Sequence, residues 1–63
     1  MTSEELIKLL KLNGWRHVST HGSHHKFVHA ETGKSVVVPH PKKHLAVGTV
    51  RAILRQANLK GRG

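Results

Sequence analysis

The densest concentration of chemistry in this sequence is the run Gly22-Ser23-His24-His25-Lys26-Phe27. Histidine exchanges protons near neutral pH, and a lysine beside it offsets negative charge developing on a phosphoryl group. Such a pair suits RNA cleavage, because RNA carries its own nucleophile in the 2′-hydroxyl. A general base removes the hydroxyl proton, the oxygen attacks the adjacent phosphate, and an acid protonates the departing oxygen. That route needs no metal. In a strand, alternate side chains point to opposite faces. Phe27 is the single phenylalanine and belongs in the core. His25 and Ser23 share its parity, so His24 and Lys26 are expected on the other face. The plainer reading is that a strand histidine is a surface residue and its lysine serves solubility.

The remaining candidates are weaker and each has a bland counterpart. His25 is expected to pack or to hydrogen bond at the rim, and becomes a second proton carrier if the strand is bulged. A bulge at Gly22-Ser23 would also shift the parity upstream. Gly22 offers the backbone freedom for RNA to approach closely. Arg16 is placed on the neighbouring strand. His40, Lys42 and Lys43 form a basic loop that either binds phosphate or is a solvated charge run. Gly22, Ser23, Lys26, Arg16, His40, Lys42 and Lys43 are therefore the candidate RNA contacts. Arg51 and Arg55 read as the solvated side of a helix. Trp15 reads as core, and one Trp with one Phe is too little for recognition led by base stacking. Among the seven histidines, His24 and His25 diverge, and Pro41 interrupts the spacing of His40 and His44. With no cysteine and few acids, neither a metal site nor a cofactor is expected.

Those residues need elements to position them. Thr2 and Glu5 have capping-box spacing, with Ser3 an equally good N-cap. Leu6, Ile7, Leu9 and Leu10 follow a helical rhythm up to Asn13-Gly14, which predicts a helix over 3–12. Strands are predicted over 15–20, 23–29 and 35–38, with a turn at Glu31-Thr32-Gly33-Lys34. They should form an antiparallel meander. The prolines flanking His40 should keep that loop extended. A second helix over 48–57 places Val50, Ile53, Leu54 and Ala57 on one side, with Asn58 as its cap. The order is α-β-β-β-α, an α+β domain with two helices on one face of a three-stranded sheet. The other face is left to solvent or a ligand.

Composition sets the limits. The chain has 63 residues, 11 Lys and Arg, 3 Asp and Glu, and a formal charge of +8. A chain this short buries only ~60% of its unfolded surface, so residues 1–63 are read as a single domain without a deep cofactor cleft. The tail over 60–63 should be frayed. No stretch approaches the ~18 apolar residues of a membrane span. Met1-Thr2-Ser3-Glu4-Glu5 lacks a signal-peptide pattern, so a soluble, cytoplasmic protein without a membrane partner is expected. The acids are Glu4, Glu5 and Glu31, and residues 34–63 contain none. The charge points to a polyanion partner, or else to an acidic protein.

The chain order at this length resembles that of double-stranded RNA-binding domains. More specifically, the chain resembles the HicA (YcfA-like) toxins, small mRNA interferases of toxin–antitoxin modules. The resemblance rests on four segments in order. They are Leu12-Asn13-Gly14-Trp15, the Gly22 to Phe27 run, Val37-Val38-Pro39-His40-Pro41-Lys42-Lys43, and the stretch from Leu45 to Leu59. Together they cover nearly the whole chain. The family usually has Gly where this chain has Asn58, and an acidic or polar residue is common near His44. The resemblance implies that His24, the histidine of the Gly-Ser-His motif, is catalytic. It further implies a metal-independent endoribonuclease acting on mRNA, the toxin of a type II module, and a HicB-like antitoxin folding over the active face. The alternative is a non-catalytic basic module that binds RNA or DNA.

Overall fold

The computed structural model describes residues 1–59; the expected frayed tail over 60–63 lies outside the described residues. Helix α1 (Ser3–Leu12) is started by Thr2. The Glu5 amide donates to the Thr2 hydroxyl at 3.0 Å, and the Thr2 amide donates to the Glu5 carboxylate at 2.8 Å. This reciprocal cap satisfies amides that the first helical turn otherwise leaves unpaired. Hydrogen bonding from the Thr2 amide, and then from its side chain, holds the Glu5 carboxyl below the usual carboxylate value. Of the two N-cap candidates, Thr2 takes the position and Ser3 is buried behind it.

Gly14, at φ +90°, turns the chain into strand β1 (Trp15–His21). A Cβ there would lie 3.0 Å from His29 Nε2, so glycine is required twice over. His29 clasps this end of the fold. Its Nε2 donates to the Asn13 carbonyl at 3.0 Å, and its Nδ1 accepts from the Glu31 and Thr32 amides at 3.1 and 3.3 Å. Strands β2 (His24–His29) and β3 (Ser35–Pro39) complete an antiparallel sheet of order β1-β2-β3. The His40–Pro41 peptide that follows is cis.

Helix α2 (Val47–Gln56) begins one residue earlier than the periodicity suggests. It ends in a left-handed residue, Asn58, at φ 60°. The Asn58 amide donates to the Arg55 carbonyl at 3.0 Å and the Leu59 amide to the Leu54 carbonyl at 2.8 Å, which is the paired closure of a Schellman motif. Asparagine is the second choice after glycine at such a position, and it serves here. No helix among the described residues is long and apolar enough to cross a membrane.

One core holds these elements together. Leu6 and Leu10 of α1 and Ile53 and Leu54 of α2 meet Trp15, Phe27, Val36 and Val38 of the sheet. All the sheet residues in that core lie on one face, so both helices cover the same side. The result is the expected α+β arrangement, with the opposite face open.

The strand pairing contains one departure from the expected pattern. Trp15 to His17 pair with His29 to Phe27, and Ser19 to His21 pair with Lys26 to His24. Val18 is left over as a β-bulge, 53% exposed. The bulge falls in β1, not at Gly22-Ser23. Two demands put it there. Trp15 must face the core, and the two-residue turn fixes His21 opposite His24. In an unbroken strand Trp15 and His21 share a face, so one extra residue is needed between them.

Candidate active site

The hairpin end of the open face carries the motif singled out by sequence. Gly22 has φ +60° and Ser23 is not left-handed, the glycine-first pattern of a type II′ turn. Nothing lies within 4 Å of where a Gly22 Cβ would sit, so the turn is open to approach. Phe27 is buried while His24 and Lys26 are exposed. The alternation expected from the sequence is present, and it puts His24 and Lys26 on the face without helices.

Register arranges that face in rows. Nearest the turn, His24 stands on the central strand between His21 and Pro39. The next row is Ser19, Lys26 and Val37, and the far row is Arg16, Val28 and Ser35. Arg16 thus shares the face but lies two rows, roughly 13 Å, from His24. Directly opposite residues have Cβ atoms about 4.5–5.5 Å apart, which makes His21 the cross-strand neighbour of His24. The strand predicted over 15–20 stops one residue short of His21. The signal that could have found it is the glycine-led two-residue turn, which makes its flanking residues partners. The acids lie elsewhere: Glu4 and Glu5 sit in α1, and Glu31 in the turn at the far end. Arg16 and Lys26 therefore leave the open face positive.

His25 is not brought to His24. Strand β2 is unbroken, so the condition for His25 to join that face is not met, and its side chain lies on the helix side. There the imidazoles of His17, His25 and His40 form a chain. Ring centroids are 5.3 Å apart for His17 and His25 and 4.9 Å for His25 and His40. His17 Nε2 lies 2.6 Å from the Thr20 hydroxyl, and its ring meets Phe27 edge-on. Burial holds His25 below the usual histidine value, with the charges of His40 and His17 adding to it.

The basic loop is anchored away from the open face. His40 Nδ1 lies 2.7 Å from the hydroxyl of buried Ser3. The Lys42 amide donates to that hydroxyl at 2.8 Å, the hydroxyl reaches the Lys42 carbonyl at 3.2 Å, and the Ser3 amide donates to the same carbonyl at 2.9 Å. All of these contacts are made at once only when His40 Nδ1 carries the proton and the serine donates to Lys42. His40 is therefore turned toward α1, whereas the Lys42 and Lys43 side chains are exposed. The His40 amide also donates to the Ser23 carbonyl at 2.7 Å, which fastens the loop to the type II′ turn. Among the described residues no group of three or more His, Asp and Glu is arranged to hold a metal ion.

A small α+β domain with two helices on one side of a three-stranded sheet and an open, basic face on the other belongs to the double-stranded-RNA-binding-domain-like class. The model of one family, described as the HicA toxin of bacterial toxin–antitoxin, matches residues 3–59. The chain belongs to the HicA toxin family. It is the toxin of a toxin–antitoxin module, and its partner is of the antitoxin kind. No curated protein matches the chain.

Proposed function

We propose that this toxin is a metal-independent endoribonuclease that cuts mRNA in the cytoplasm, with His24 as a proton-transfer catalyst. The observation that carries the reading is the position of His24. It is exposed on the central strand of the open face, beside an open glycine turn and one row from Lys26. An RNA strand lying across that face would bring a phosphate to His24 and leave Lys26 to offset its charge. The 2′-oxygen attacks phosphorus, the bond to the 5′-oxygen breaks, and the products are a 2′,3′-cyclic phosphate and a 5′-hydroxyl. One proton leaves the 2′-hydroxyl and one reaches the 5′-oxygen, so the step balances without water or metal. Gly22 and Ser23 line the approach through the turn. Arg16, further along the face, is another phosphate contact. The exposed Lys42 and Lys43 would take phosphates of RNA that runs past the turn onto the loop, and His40 supports that loop through Ser3.

A HicB-like antitoxin would silence such a site by covering the open face, and an acidic partner would be drawn to it by charge. The test is cleavage of single-stranded mRNA in EDTA. Wild type is expected to cut, and His24→Ala to fold but not cut. Full activity in folded His24→Ala removes the assignment. RNA binding without cleavage by either protein makes this a basic binding module instead.

A further inference from the structure

We infer that His21 is the second proton-transfer residue of this site. The inference rests on the ribonuclease reading above and supplies the group that reading leaves unassigned. A transphosphorylation moves two protons, one off the 2′-oxygen and one onto the 5′-oxygen of the same phosphate. A single neutral imidazole can take the first; the second must come from another group or from solvent.

The register supplies that group. His21 and His24 close the type II′ turn as direct cross-strand partners, both exposed and both on the open face. Their Cβ atoms are about 4.5–5.5 Å apart, close enough for the two rings to meet one phosphate from either side. The other histidines near the turn are occupied elsewhere. His25 and His17 face the helix side, and His40 is bonded to Ser3. Of the side chains that the register places on the open face, only His21 and His24 are imidazoles.

The bulge is what allows this. Trp15 faces the core, and without Val18 set aside, an unbroken β1 would send His21 to the core side with it. The extra residue re-aims the last turn of the strand while the core end stays in place. One imidazole takes the 2′-hydroxyl proton, and the other, protonated beforehand, gives its proton to the 5′-oxygen. The pair ends with its protons exchanged and the total unchanged.

The experiment is the pH dependence of kcat/KM for a short single-stranded RNA. It is run on wild type, His21→Gln, His21→Ala, His24→Ala and His17→Gln, each checked for folding by its amide NMR spectrum. Wild type is expected to give a bell. Both His21 variants should lose about 10²–10⁴ in rate and one limb of the bell, as removal of one acid–base group requires. His17→Gln should keep both limbs. A His21 variant that keeps both limbs overturns the inference, whether its rate is normal or reduced, because a structural role lowers the rate without removing a limb. A single-limbed wild type overturns it as well. Full activity in His24→Ala overturns the assignment of His24, and binding without cleavage by wild type overturns the ribonuclease reading itself; neither outcome depends on the His21 variants.

Discussion

On the helix-covered side of the hairpin end, His17, His25 and His40 lie ring to ring, joined through Thr20 and Ser3 to the rest of the fold. One sheet thickness away, His21 and His24 stand exposed on the open face. The residue type is the same, and β1 and β2 each carry one such ring on either face. The surroundings differ. On the covered side the rings pack against one another, and His25, partly buried between His17 and His40, resists a positive charge. On the open side it meets solvent and whatever polyanion arrives. A histidine count therefore says little about chemistry here; the face on which each ring lies decides what it can do.

Adjacent residues give the hardest test of that contrast. Phe27 is 1% exposed and Lys26, its neighbour in sequence, is on the open face. Phe27→Ala is expected to cost about 3–5 kcal/mol by transfer and cavity formation. A domain of 63 residues has roughly 3–9 kcal/mol of stability in all, so the variant should be largely unfolded under mild urea. Lys26→Ala should change stability by no more than about 0.5 kcal/mol. It should instead make the log–log salt dependence of RNA binding shallower by about 0.7, the share of one lost phosphate contact on single strands. An unchanged salt slope in Lys26→Ala would mean that RNA does not lie along that row.

The loop anchor is the next largest. Ser3 ties the start of α1 to the loop after β3, with its hydroxyl shared by the Lys42 amide, the Lys42 carbonyl and His40. Ser3→Ala leaves those groups short of a partner at a buried position, which costs about 1–3 kcal/mol. Urea unfolding measures it. A loss below about 0.5 kcal/mol would show that the loop can rearrange and does not depend on the serine.

Much of this is legible in the sequence alone. Leu6 and Leu10 mark the helix by their spacing, and Val36 and Val38 the third strand by theirs. Phe27 sets the parity of β2, which places His24 and Lys26 correctly on the open face. What could not be read is where two locally sound patterns fall out of step. The core end of β1 and its turn end each alternate correctly, but in different phases, and only the pairing shows that Val18 absorbs the difference. His21 was hidden for that reason. Ser3 and His40 were hidden for another. Their contact spans 37 residues, and each looked locally complete, one as a helix cap and the other as a loop cation.

The smallest effect concerns His25 and pH. His25 has a folded-state value below its ordinary 6.5, first because of burial and then because of the charges on His40 and His17. Above the ordinary value it is neutral in both folded and unfolded chains, and stability does not depend on it. As pH falls below about 6.5, the unfolded chain takes up a proton that the folded chain refuses, so stability declines. The decline is complete once pH passes below the lowered folded-state value. His25→Gln removes this contribution. The melting temperature of the variant should therefore fall less steeply than that of wild type between about pH 7 and about pH 5. Equal slopes for wild type and His25→Gln would show that its partly buried position does not hinder protonation of His25, and the contrast between the two faces would then rest on geometry alone.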